Sequence, residues 1–539
     1  MSVNFRVVRL FLVVYLVLHT ACADAQRTDT GKKKHPNSPS RSKPGLTISR
    51  HTTWFTAPLT QSGYVDYPGA INTRLGRGIT SENNANVLFW QALGPEPNEK
   101  KMPPRFFSLM GMDEPPDQGD NFLDLSQYLQ QVVRIPRKDP AYLQIINEQG
   151  LAAARPWKTG QYPQIRAWLK ANEKPLSLVV AGTKRPKYFS PLVIPDGVTG
   201  ADATLVNMLL PAVQQARSFA RALSARAMWH TGEGRDSEAW QDLLACHRLG
   251  RLIGQGSTTI EALIGIAIDS VASQSDLAFI ESSGPGAKQT RIYLNDLEAL
   301  PPLPDMAEKI NVGERCFFLD IVQMLVREGS AEGLEQIFGT DDKVGGLSSR
   351  LAGSTIDWNT TMRFGNGWYD RLVEVTQTKN YQDRKQALER IDQDLKKLAD
   401  EIKGGRKSIN LLPGNSEAGE KVVGKVLLAM VLPAVTQVRI AEDRAMQNVA
   451  SLRIAFALAG YQSVHGRYPE TLNQLSPEFL KQVPDDLFAG NPLNYRRTED
   501  GYLLYSIGTN AEDEGGRGAR DDRPGDDLSI RMPLPSTEE

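Results

Sequence analysis

Between Val426 and Tyr461, apolar residues recur at intervals of three and four: Ala441, Ala445, Val449, Leu452, Ala455, Phe456 and Leu458 follow the Val426–Val435 run. That period predicts one amphipathic helix of about nine turns at 3.6 residues per turn. His465-Gly466 ends it, since a glycine beyond the last periodic residue is a common helix stop. A helix of this length must bury a long stripe, so it constrains everything around it.

The segments beyond the helix change character. Gly466-Arg467-Tyr468-Pro469 leads into Asp486-Leu487-Phe488-Ala489-Gly490-Asn491-Pro492. Asn494–Arg497 and Tyr502–Ile507 then read as a hairpin joined through Glu499-Asp500-Gly501. A Tyr505-Ser506-Ile507-Gly508 strand end opens a loop with seven carboxylates between Ala511 and Asp527, set among Gly515, Gly516, Gly518 and Gly525. Calcium takes six to eight oxygens from flexible acidic loops of this kind.

This order of long helix, Gly-x-Tyr-Pro, Asp-x-Phe-x-Gly-x-Pro, aromatic strand, Tyr-Ser-x-Gly and acidic Gly-rich loop resembles the globular domain of the major pseudopilin of type II secretion. The resemblance covers about a fifth of the chain. It implies a small antiparallel sheet packed on the helix and a calcium held by Asn510, Asp513, Asp526 and Asp527. The processing site of a pilus subunit has no counterpart, because Lys425 follows Gly424 where a Phe is expected and Ala429 stands in place of the Glu. The resemblance therefore implies an interaction module, not a filament subunit.

With 539 residues the chain is long enough for several cores of ordinary size. A formal charge of -1 with 23% charged residues gives no overall field directed at nucleic acid. Arg6 and Arg9, the apolar run Leu10–Leu18 and the small residues of Ala21-Cys22-Ala23 or Ala23-Asp24-Ala25 read as a secretory signal over 1–25. The run is shorter than the roughly 20 residues a bilayer needs, so no transmembrane helix is expected in the mature chain. His19 stands where a lipidation signal on Cys22 prefers an aliphatic residue.

Residues 26–50, with Lys32-Lys33-Lys34, read as a disordered basic linker. Residues 51–200 read as an irregular α-rich domain. Within it, a helix is expected to start near Ser81, run through Val87, Leu88, Trp90 and Leu93, and stop at Gly94-Pro95. Residues 201–419 read as a helical body of successive hairpins: Leu209–Leu223, Ala239–Leu252, Ile260–Ile268, Glu314–Arg327, Trp368–Val375 and Gln386–Ile402. Residues 420–539 form the C-terminal unit. The fold class is thus mainly α, in hairpins or a bundle, with a small C-terminal α+β domain.

Met208–Arg217 and Met430–Arg439 match at seven of ten positions, which reads either as a duplicated helix start or as Pro placed in the first turn of two helices.

Other chemistry finds little sequence support. Gly419–Lys425 has phosphate-loop spacing, but Val426 replaces the Ser or Thr that holds magnesium and no strand precedes it. His35, His51, His230, His247 and His465 form no His-x-His or His-x-x-x-His pair. Cys246 and Cys316 either pair or lie buried as thiols. The cluster Asp357-Trp358, Arg363-Phe364, Trp368–Arg371 is either a binding corner or a packed one. The whole chain also resembles exported proteins of planctomycete bacteria, which implies an envelope location and assigns no activity.

The expectation is an exported, non-enzymatic protein of the periplasm or cell envelope with a protein partner there and a pseudopilin-like interaction module. An accessory role in a type II secretion or pilus-like machine is one alternative. A hydrolase with its site in the helical body is the other.

Overall fold

The computed structural model describes residues 45–97, 101–195, 204–205, 208, 211–328, 357–405 and 417–536. The signal segment with Cys22, most of the basic linker and the Leu412-Pro413-Gly414-Asn415 break lie outside the described residues.

The chain is mainly helical, with one three-stranded sheet near its C-terminus. In the N-terminal part, α1 is Tyr67–Leu75, α2 Ala85–Leu93, α3 Pro140–Ala154, α4 Pro163–Ala171 and α5 Glu173–Thr183. The body follows with α6 Pro211–Gly232, α7 Asp236–Ile253, α8 Thr259–Ser283, α9 Ala287–Glu298, α10 Arg315–Glu328, α11 Trp358–Thr376 and α12 Tyr381–Gly405. The last helix, α13, runs Glu417–His465.

Several boundaries differ from the sequence expectation for local reasons. Helix α2 is capped by Asn84, whose side chain accepts from the Asn86 amide, and not by Ser81, which sits in the preceding turn. Pro211 opens α6 as expected, whereas Pro433 lies inside α13, which begins some four turns earlier at Glu417. Gly419–Lys425 is therefore helix and not a loop after a strand. Helix α8 continues past Ile268 to Ser283, because a capping box of Thr258 and Glu261 starts it and Gly284, at φ 53°, closes it.

Helices α6, α7 and α8 pack against one another, and α13 lies along α8 and α9. The approach of α7 to α8 is close enough that a side chain on Gly265 would collide with the Gly250 carbonyl. The largest core joins Phe89 of α2, Trp168 of α4, Phe219 of α6, Leu249 of α7, Phe279 of α8, Phe456 of α13 and Leu504 of the sheet. A second core gathers Leu319 and Val322 of α10, Leu372 of α11, Ile391 and Leu395 of α12, and Tyr67 and Ile71 of α1.

Helix α8 is the one described helix long and apolar enough to cross a membrane, and 83% of its apolar window is buried inside the protein. Its position between α6, α7 and α13 is that of a core helix.

Strands β1 (Asn494–Arg497), β2 (Tyr502–Ser506) and β3 (Leu528–Met532) are antiparallel in the order β1-β2-β3. The Asp-Gly hairpin pairs Arg497 with Tyr502, as the sequence indicates. Strand β3 was not foreseen, and it pairs Leu504 with Ile530. Alternate residues Leu528, Ile530 and Met532 are buried, as expected for a strand with one face on a core.

Candidate functional site

The acidic loop runs from the end of β2 to the start of β3, so the sheet brings its two ends together. Asp486 anchors it from the preceding loop, accepting from the Ser506 hydroxyl at 2.8 Å, the Phe488 amide at 2.9 Å and the Ile507 amide at 3.0 Å. Gly508 follows at φ 70°, where a Cβ would collide with the Asp526 carbonyl.

The four expected oxygen donors separate into two pairs. Asp526 accepts from the Thr509 amide and hydroxyl, both at 2.6 Å, and from the Asn510 amide at 3.0 Å. Its other oxygen takes the guanidinium of Arg444, from α13, at 2.6 Å. Burial works against its ionisation, but the Thr509 hydroxyl and Arg444 outweigh that and hold Asp526 below the usual carboxylate range. Asn510 accepts from the Glu512 amide and donates to Glu514. The Lys385 ammonium, from α12, takes the carbonyls of Thr509 and Asn510 at 3.1 and 3.3 Å. Cationic side chains of the protein thus already engage this half of the loop.

The other half is less complete. One oxygen of Asp527 accepts from the Gly516 amide at 2.7 Å and the Glu514 amide at 3.2 Å. The other, Oδ1, is buried without a partner, and the residue is only 3% exposed. Burial, together with the Glu514 and Asp513 carboxylates, raises the Asp527 pKa to about 6, against the help of the Gly516 amide. Asp513 accepts from the Gly515 amide at 2.9 Å and the Tyr505 hydroxyl at 3.1 Å.

The fit to a calcium site is consequently partial. Asn510, Asp526 and Glu514 are committed to the chain's own donors, Glu514 accepting from the Asn510 side-chain amide and the Asp526 backbone amide, while Asp527 beside Asp513 and Glu514 keeps one unfilled oxygen. Among the described residues no group of three or more His, Cys, Asp or Glu side chains is arranged to hold a metal ion. Sequence reasoning missed Glu514, which stands beside Asp513 in the same acidic run. It also missed Lys385 and Arg444, which no local pattern could link to this loop.

The remaining candidates resolve into packing. His247 does not serve His230. Its two ring nitrogens meet Asp269 at 2.9 Å and Asp276 at 2.8 Å, and Arg251 reaches Asp269 at 3.0 Å, all four residues being buried. Burial alone would push the imidazole down, but the Asp276 and Asp269 carboxylates raise its pKa to about 9. His230 is pushed down to about 4 by burial and by Arg235, Arg226 and Arg166.

Cys246 and Cys316 are free and buried. In the Asp357–Arg371 cluster, Asp357 caps α11 and Arg371 pairs with Asp394. Arg315 lies over the Trp54 ring at 4.1 Å and pairs with Asp370 at 2.7 Å. That is a filled corner between helices.

Compared with protein-family models, curated proteins and solved structures, the chain matches none.

Proposed function

We propose that this chain is an exported, non-enzymatic protein of the periplasm or cell envelope whose C-terminal unit is a pseudopilin-like module that engages a protein partner. One observation carries the reading. The small sheet is not tethered by a linker but shares its core with the helical body, through Tyr502, Leu504, Ile530 and Met532. A module seated this way presents its outer surface in a fixed orientation, which lowers the ordering cost of binding.

The loop is fixed to the body by the Arg444–Asp526 pair and by Lys385 and Tyr381, both of which donate to the Thr509 carbonyl. Supporting the export element is the signal pattern of residues 1–25. Calcium belongs to the same proposal, at the corner of the loop where Asp527 keeps an unpartnered oxygen near Asp513, with loop carbonyls and water supplying the remaining ligands. Bound there, it would offset the charge that Asp527 carries on a buried, unpartnered oxygen.

The test is fractionation of cells expressing a C-terminally tagged chain, with N-terminal sequencing of the product. The expected result is an envelope protein beginning close to residue 26; an unprocessed chain in the cytosol ends the export element. In-cell crosslinking at Arg496 and Arg497 of the exposed strand β1 tests the module. A discrete adduct with secretin or secretion ATPase components would favour the accessory role in a secretion machine, and an adduct with another envelope protein favours the broader reading. A chain that crosslinks to nothing from either position fails both.

A further inference from the structure

A cavity of about 340 Å³ lies where the C-terminal ends of α8 and α13 meet the sheet. Its floor is apolar and aromatic: Ile280, Tyr502 and Met532 are buried, and the Tyr468 ring meets the Tyr502 ring edge-on at 4.9 Å. Its rim is exposed and polar, with the carboxylates of Glu281 and Asp500. Among the described residues no Lys, Arg or His lines it.

Three independent features give this cavity one electrostatic sign. The two carboxylates are the first. The second is that α8 ends at Ser283 and α13 at His465, with Gly284 and Gly466 from just beyond each end lining the cavity. Helix C-termini present unpaired carbonyls and the negative end of the dipole. The third is the partly exposed aromatic ring of Tyr468, of a type whose quadrupole attracts cations. The Tyr502 hydroxyl lies beneath this surface, buried and without a hydrogen-bond partner, so the floor offers no donor or acceptor of its own to compete with the rim carboxylates.

We propose that this cavity binds an organic cation, an ammonium group carried on a short alkyl chain, with the chain over Ile280 and Met532 and the ammonium among Glu281, Asp500 and Tyr468. A free alkylamine and a lysine side chain of a peptide share that chemistry. Glu281 is the residue that ties the site together, because its Oε1 also accepts from the Leu534 amide at 2.7 Å and so holds the chain after β3 against α8. The site stands on the cavity alone and is separate from the acidic loop and from the export reading.

The test is calorimetric titration of the full-length chain with n-hexylammonium chloride and, in parallel, with the neutral isostere 1-hexanol. Hexylammonium is expected to bind at least about tenfold more tightly than the alcohol, the scale of a partly desolvated cation–π contact with carboxylate support. The double variant Glu281→Gln, Asp500→Asn changes two exposed side chains and is expected to lose about tenfold in hexylammonium affinity while melting at the wild-type temperature. Displacement of hexylammonium by N-acetyl-lysine amide identifies a lysine side chain as the occupant, and lack of displacement identifies the free amine. Equal binding of amine and alcohol, an unchanged affinity in the double variant, or no heat from hexylammonium up to about 50 mM overturns the proposal.

Discussion

The buried cluster around His247 and the acidic loop around Asp527 use the same carboxylate chemistry to opposite ends. In the helical body, Asp269 and Asp276 meet a histidine and an arginine from the neighbouring helix, so each carboxylate has a cationic partner, although Asp276 Oδ1 is buried without a hydrogen bond. In the loop, carboxylates mostly cap backbone amides, and Asp527 keeps one buried oxygen with nothing to bind. Removing one partner from a buried charge network leaves the other uncompensated, so the first arrangement is locked. The second retains room for a partner that the chain does not supply. The difference lies in the cation: Asp269 and Asp276 have one in contact, and Asp527 has carboxylates for neighbours instead.

The sharpest way to break this comparison is His247→Ala, which leaves Asp269 with Arg251 alone and Asp276 with no cation. Loss of about 3–5 kcal/mol of stability is expected, read by urea unfolding. A loss under about 1 kcal/mol would show that the cluster is not locked. The pH dependence follows from the same pair. The His247 pKa is raised in the folded chain, so its contribution is complete below the ordinary histidine value of about 6.5 and declines as pH rises through about 9. Asp269 is held low, through His247 and Arg251 working against burial, and its contribution declines only in acid. Stability should therefore fall between pH 6.5 and 9 more steeply in the wild type than in His247→Gln.

A smaller effect tests the helix contact on which the cluster depends. Gly265→Ala should cost about 1–3 kcal/mol, because the added methyl meets the Gly250 carbonyl and forces α7 and α8 apart. Differential scanning calorimetry would register it. An unchanged melting temperature would mean that the two helices separate freely.

The loop side of the comparison responds to ions. Calcium at about tenfold its dissociation constant should stabilise the full chain by about 1.4 kcal/mol, and Asp527→Asn should abolish that response. Asp527 has a raised pKa, so its ionisation weakens the ion-free loop as pH rises through about 6. In the absence of calcium, Asp527→Asn should remove that pH dependence. An equal calcium response in wild type and variant would reject Asp527 as a calcium donor.

Thiol chemistry supplies the smallest effect. Burial pushes both Cys246 and Cys316 far above the usual thiol range. A native chain should react with a thiol reagent at least about tenfold more slowly than the same chain in denaturant.

Much of the helical architecture was legible in advance. The stripe Leu388, Ile391, Leu395 and Leu398 is buried along α12, and Asp500-Gly501 makes the expected turn. Boundaries were less legible where two residues of similar capping ability compete, as Ser81 and Asn84 do before α2. Strand β3 escaped notice because its pairing partner lies on the far side of the acidic loop, and a five-residue alternation carries little signal without that partner. The surroundings of the loop's oxygens were hidden for a related reason. The sequence shows which residues have oxygens, and it does not show that Arg444 and Lys385 arrive from two helices to engage some of them.

By itself the sequence determined a mainly helical chain, a long terminal helix and a hairpin after it, because periodicity and turn chemistry act over a few residues. Only the tertiary structure decided that the sheet shares a core with the body, that His247 is locked between two aspartates and that Asp527 is left with an oxygen to spare. Those outcomes depend on residues brought together from distant parts of the chain, where burial and the sign of the nearest charge decide which groups are satisfied.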